Sequence, residues 1–263
     1  MEEQVKQLVS DLLIGGKVKG VLGLKKEHGQ VGPYLFTNAR ELKHLTLTPK
    51  YSIAKIAIRL TPRKEKIGIV VRGCDERNLV ELSKLNQVDL QNIEMIGIAC
   101  SKELAEECRC VTPYPMKIAV GEKVEGVQDP LKQKLKEMTL EDRNAFWKAQ
   151  FMKCQKCYGC RNSCPLCACI ICEMEQKMWV PKGILPPETP TYHLIRAFHI
   201  ADKCSGCGEC ERACPVGIPL KTLESMLVDD MRELFEYEMG VDERSSPLLT
   251  SLEECPLKGG VHD

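Results

Sequence analysis

Apolar residues Val5, Leu8, Val9, Leu12 and Leu13 recur at helical spacing and stop at Gly15-Gly16. That pattern predicts an amphipathic helix over residues 1 to 15, with the glycine pair as a helix stop rather than a phosphate cradle. Strands are expected at Val18–Leu24 and near Tyr34-Leu-Phe, and helices near 39–45 and 53–60. Ile67-Gly-Ile-Val-Val71 is short, β-branched and bounded by turns, the form of a strand buried on both faces. A helix over 76–85, with Leu79, Val80 and Leu82 inward, leads to a second such strand at Met95–Ala99, which ends on Cys100. Strand and helix in alternation predict an α/β N-terminal domain with a mainly parallel sheet.

Beyond residue 136 the pattern becomes helical and loop-rich. Thr139 is the expected N-cap of a helix over 139–152, with Asp142 at the reach-back position. Further helices are predicted across Tyr192–Ala201 and Leu220–Phe235, and Pro181, Pro186, Pro187 and Pro190 predict an extended connection before them. The division read from the sequence is residues 1–136, residues 137–238, and a polar tail over 239–263 that is surface-docked or partly disordered.

The charged residues balance, 37 Lys and Arg against 37 Asp and Glu. No basic field gathers phosphates, and nucleic acid is not expected as a partner. The first residues lack a basic start and apolar core, and no window approaches a membrane span, so a cytoplasmic location is expected. Sixteen cysteines in that reducing setting are expected to be metal ligands rather than disulfides.

Two cysteine runs have one form: Cys154-x2-Cys157-x2-Cys160-x3-Cys164-Pro165 and Cys204-x2-Cys207-x2-Cys210-x3-Cys214-Pro215. This is the bacterial ferredoxin spacing for paired 4Fe-4S clusters, in which the fourth cysteine of each run ligates the other cluster. Cys154, Cys157, Cys160 and Cys214 are therefore expected to hold one cluster, and Cys204, Cys207, Cys210 and Cys164 the second, in a dicluster ferredoxin-like domain. Ser205, Gly206 and Gly208 let the backbone approach the cluster. A zinc adaptor is the competing reading, but zinc sites pair two C-x2-C knuckles and have no use for a third cysteine at the same spacing. His193 and His199 read as surface or capping residues, and Met174, Met178 and Trp179 as packing against the cluster loops.

Cys74 and Cys100, at the carboxyl ends of two predicted strands, and Cys108 and Cys110 beyond a short helix are the only cysteines before residue 136. They are either buried apolar side chains or four ligands gathered on one sheet edge. The phrases Val70-Val-Arg-Gly-Cys74-Asp-Glu-Arg-Asn-Leu, Ile96-Gly-Ile-Ala-Cys100 and Cys108-Arg-Cys110-Val-Thr-Pro-Tyr-Pro resemble the β-subunit family of deazaflavin-reducing hydrogenases and formate dehydrogenases. The second half resembles the dicluster variants associated with heterodisulfide-reductase-type complexes. The resemblance implies that Cys74, Cys100, Cys108 and Cys110 ligate a third 4Fe-4S cluster. It also implies a subunit that passes single electrons between a formate dehydrogenase or hydrogenase catalytic chain and a flavin-bearing heterodisulfide-reductase-type subunit. Longer members of the family bind flavin, so the alternative is a chain that holds FAD and exchanges hydride with a deazaflavin or nicotinamide. No G-x-G-x-x-G loop follows a predicted strand to support that alternative. Cys167, Cys169 and Cys172 are either packing cysteines or ligands of an additional cluster completed from elsewhere; Cys255 alone in the chain could complete it.

Overall fold

The computed structural model describes residues 1–60, 65–176, 181, 183–188 and 190–241. Two compact units divide between Gln128 and Asp129. The tail with Cys255, and Met178 and Trp179, lie outside the described residues.

The first unit opens with α1 (Glu2–Ile14), followed by β1 (Val21–Glu27), β2 (Gln30–Phe36), a 3-10 turn (Ala39–His44) and β3 (Leu45–Thr46). It continues with α2 (Ala54–Leu60), β4 (Ile67–Val71), α3 (Gly73–Lys84), β5 (Ile93–Gly97) and α4 (Lys102–Glu107). The strands run in the order β2-β1-β4-β5, with β3 also on β1. The sheet is mixed rather than mainly parallel: β1 pairs antiparallel with β2 and β3, while β1–β4 and β4–β5 are parallel. The cause is the turn His28-Gly29, whose two residues both take positive φ (50° and 77°) and close a hairpin between β1 and β2. Only the pairs that enclose a helix, such as β4 and β5 around α3, can run parallel.

Val5 and Val9 of α1 pack with Val21, Phe36, Leu45, Val70 and Ile96 in one core. On α3, by contrast, Asp75, Glu76, Arg77, Asn78 and Glu81 are buried beside Leu79 and Leu82. Several of these polar groups hold the segment after α4: Glu76 accepts from the Met116 N–H at 2.6 Å, and Arg77 donates to the Thr112 carbonyl at 3.2 Å.

The second unit contains α5 (Pro130–Glu137), α6 (Leu140–Phe151), α7 (Gly159–Ser163), α8 (Thr191–Ile200), α9 (Glu209–Arg212) and α10 (Leu220–Phe235). The Asp142 N–H donates to Thr139 Oγ1 at 3.1 Å, as expected of the cap, and Thr139 Oγ1 in turn donates to the Asp142 carboxylate at 2.8 Å. Helix α5, absent from the pattern reading, starts on an Asp129 cap and is tied to α10 by Lys132 and Lys136, both within 2.7 Å of Asp229. Trp147, Phe151, Ala197, Ile218, Leu220 and Leu223 form the core together with Cys160 and Cys210. Among the described residues no helix is long and apolar enough to cross a membrane.

Candidate iron–sulfur centres

The two cysteine runs share one backbone. Lys156 and Gly206, each preceding the second cysteine of its run, take positive φ of 50° and 68°. Tyr158 and Gly208, each following that cysteine, take 59° and 77°. These left-handed residues curl each loop so that its amides turn inward, and the N–H groups of Lys156 and Gly206 point at Cys154 Sγ and Cys204 Sγ at 3.3 and 3.4 Å. The short helices α7 and α9 that follow lie against each other. Ser163 Oγ donates to the Glu209 carbonyl at 3.1 Å, and a Cβ on Gly159 would stand 2.8 Å from the Ala213 carbonyl oxygen. That close approach delivers the last cysteine of each run to the other run's loop.

Cys154, Cys157, Cys160 and Cys214 line one small pocket, walled by Tyr192, His193 and Ile218. Cys204, Cys207, Cys210 and Cys164 are electrostatic neighbours of one another. Cys214 thus lies with the first run and Cys164 with the second. Burial raises the thiols of Cys154, Cys160, Cys204 and Cys210. For Cys164 the first cause is a hydrogen bond with Cys167, and burial follows.

In the first unit Cys74 lies in the first turn of α3. Cys100 lies three residues past β5 rather than directly on its end: the Ile98 N–H still donates to the Val71 carbonyl of β4 at 2.8 Å, and the Ala99 N–H donates to the Val120 carbonyl at 2.9 Å. Burial pushes the Cys100 thiol up to about 11 against the pull of Arg72, and Cys74, Cys110 and Cys108 are its other electrostatic neighbours. The four thiols therefore share one locality. Glycines let the segment after Cys110 pass close: a Cβ on Gly73 would stand 2.2 Å from the Tyr114 carbonyl oxygen, and one on Gly97 would stand 2.0 Å from that of Lys117.

The remaining trio is spread out. Cys167 turns to Cys164, Cys169 is exposed, and Cys172 packs with Tyr158, Met174 and Tyr192. Met174 packs beside the first cluster loop as expected.

Each thiol set also has buried polar atoms without a protein partner: both ring nitrogens of His193 and Nε of Arg196 by the first, Ser205 Oγ in the second run, and Nε of Arg72 by the third. Buried donors of this kind suit acceptors such as cluster sulfur. Among the described residues no three His, Cys, Asp or Glu side chains close around a single metal ion. A 4Fe-4S cluster places each thiolate on a different iron, and thiols that are gathered but held apart fit that group.

Three polar residues escaped the sequence reading. His193, expected at the surface, is 3% exposed and stacked on Phe151 at 4.4 Å. Arg196 and Glu224, 4% and 1% exposed, form an ion pair at 2.5 Å, and Arg196 also donates to the Cys160 carbonyl at 3.3 Å. Burial pushes Glu224 up to about 7 despite Arg196, and holds His193 down to about 4. The available signal was helical phase, since His193 and Arg196 fall on the same stripe of α8 as Ala197 and Ile200.

Twin cysteine loops, with Cys214 beside the first and Cys164 beside the second, have the spacing and backbone of ferredoxin-type 4Fe-4S binding loops. Residues 197–219 match the 4Fe-4S binding domain family. The chain is similar to the F420-dependent formate dehydrogenase subunit beta of Methanocaldococcus jannaschii, at 37% identity over 139 residues, covering 52% of this chain and 37% of that protein. It is also similar to the F420-dependent formate dehydrogenase 1 subunit beta of Methanococcus maripaludis, at 33% identity over 149 residues, covering 56% of this chain and 38% of that protein. The resemblance to formate dehydrogenase β-subunits stands on these relatives, and the chain spans less than two fifths of their length.

Proposed function

We propose that this chain is an electron-transfer subunit of a multi-subunit oxidoreductase. It relays single electrons between a formate dehydrogenase or hydrogenase-type catalytic subunit and a flavin-bearing heterodisulfide-reductase-type subunit. The observation that carries this reading is the matched left-handed backbone of the two cysteine runs together with the gathering of Cys214 with the first set and Cys164 with the second. Bound there, the clusters supply one-electron oxidation and reduction. The protein holds them through thiolates, turns amides and buried donors toward sulfur, and keeps water away.

Cys74, Cys100, Cys108 and Cys110 are assigned to the third cluster on the strength of their common locality beside Arg72. Cys167, Cys169 and Cys172 hold a further cluster only if a ligand comes from elsewhere. Iron counted per anaerobically purified chain tests the whole assignment. About twelve atoms correspond to three 4Fe-4S clusters and about sixteen bring in the trio. Pairwise Cys→Ser variants test the crossing. Cys157→Ser and Cys214→Ser should abolish the same reduced-cluster EPR signal, and Cys207→Ser and Cys164→Ser the other. Signals grouped run by run would sink the crossed assignment. The F420 dependence in both relatives' names supports the second reading, hydride exchange with a deazaflavin, and flavin released from the purified chain by acid would favour it.

A further inference from the structure

His193 is buried in the wall of the pocket lined by Cys154, Cys157, Cys160 and Cys214, yet neither ring nitrogen has a partner in the protein. A buried polar group left without a partner is destabilising, so a partner is expected for it. The ring is also fixed in orientation: it stacks on Phe151 at 4.4 Å and 12°, and Tyr192 meets it edge-on at 5.0 Å and 87°. The hydroxyls of Tyr158 and Tyr192 and the amide of Gln155, which line the same pocket, do not reach it, and Val216, Ile218 and Leu220 supply no acceptor side chain. The remaining side-chain acceptors at the pocket are the cysteine sulfurs.

We propose that His193 donates a ring N–H to a sulfur of the cluster held by Cys154, Cys157, Cys160 and Cys214, and thereby raises the reduction potential of that cluster alone. The proposal rests on the reading that these cysteines hold a 4Fe-4S cluster. A donor aimed at sulfur stabilises the reduced, more negative form, so its removal moves the potential downward. Burial and the nearby charge of Arg196 keep the imidazole neutral, with one N–H and one bare nitrogen. His193 acts through the cluster's environment and is a positioning residue; its loss leaves all four thiolates in place.

The test is an EPR-monitored potentiometric titration of the full chain under anaerobic conditions, with iron counted in each sample. His193→Phe should shift one midpoint negative by at least a tenfold change in its reduction equilibrium, about 59 mV for one electron, and leave the others in place. His193→Gln, which keeps an N–H donor, should recover most of that shift. Midpoints unchanged in His193→Phe, or all displaced together, overturn the proposal while leaving the cluster assignment intact. Wild-type chain without iron–sulfur signals overturns the assignment itself. Should His193→Phe fail to load iron, pulsed EPR on wild-type protein carrying isotopically labelled histidine decides the matter. A weak histidine-nitrogen coupling to one reduced cluster is expected, and its absence refutes the donor.

Discussion

Replacing Arg196 with Met should destabilise the second unit far more than replacing Glu224 with Gln. The two side chains are 5% and 1% exposed and meet at 2.5 Å, and Glu224 Oε2 has no partner. Without Arg196, Glu224 loses its cation and is left among Cys204 and Cys210, whose ligand set is itself anionic. Removing one member of a buried ion pair costs about 3–5 kcal/mol. At roughly 4 °C per kcal/mol for a unit of this size, Arg196→Met should melt about 12–20 °C lower. Glu224→Gln leaves an amide oxygen for Arg196 to donate to, keeps the 3.3 Å bond to the Cys160 carbonyl, and leaves the guanidinium near anionic thiolates. Its cost should be about 1–2 kcal/mol, the difference between a charge-assisted and a neutral hydrogen bond. The Arg196→Met, Glu224→Leu double variant should regain most of the loss, because an apolar pair leaves no buried charge unpaired. Anaerobic thermal unfolding at pH 8, above the value of about 7 at which Glu224 loses its proton, followed at fixed scan rate by circular dichroism and cluster absorbance, measures all three variants. Equal losses in the two single variants, or a double variant no better than Arg196→Met, would falsify the argument.

Gly97→Ala places a Cβ 2.0 Å from the Lys117 carbonyl oxygen and should displace the segment after Cys110. About four of twelve irons should be lost while both ferredoxin-type EPR signals persist. Thr139→Ala removes the α6 cap and should cost about 1 kcal/mol, read as a shift in the unfolding midpoint of the second unit. Between pH 4.5 and 6.5 two buried groups should oppose each other. Glu224, lifted to about 7 from 4.5, binds its proton in the folded state and lowers stability as pH rises, while His193, held at about 4 from 6.5, binds its proton only when unfolded and raises stability as pH rises. Glu224→Gln should therefore expose a rising pH dependence of roughly 1.4 kcal/mol per unit, and His193→Phe a falling one; parallel profiles in the two variants would contradict these directions.

Elements with one strong local signal were legible in the sequence. Strand β4 and helix α10 coincide with their apolar patterns, and α6 with its Thr139 cap. The failures had two sources. The antiparallel half of the sheet depends on the two-residue turn His28-Gly29, a local signal weaker than the apolar runs, and past Gly97 the Ala99 N–H finds the Val120 carbonyl, a partner no local pattern indicates. The two ferredoxin-type runs were visible through spacing, which chain geometry constrains within a few residues, whereas Cys74, Cys100, Cys108 and Cys110 have no such spacing and were grouped through their predicted strand ends and the family resemblance. The buried polar groups around the two runs were not visible, because His193, Arg196 and Glu224 acquire their meaning only when α8 and α10 close over the loops.

The two runs reach the same curl with different residues, and the difference has a physical use. The second run has Gly206 and Gly208 at its left-handed positions, where glycine costs least. The first has Lys156 and Tyr158 there, each at an expense of about 1–2 kcal/mol for a side chain at positive φ. Both side chains make contacts that glycine could not. Lys156 Nζ donates to the Pro181 carbonyl, and Tyr158 meets Tyr192 edge-on at 6.0 Å in the cluster with Met174 and Cys172. Pro181, Met174 and Cys172 all belong to the long segment between the runs. Strain in the first loop thus tethers that insertion to the cluster site, and the same packing seats Tyr192, and next to it His193, at the pocket wall. The second run, followed directly by α10, has no insertion to restrain and carries glycine at both positions.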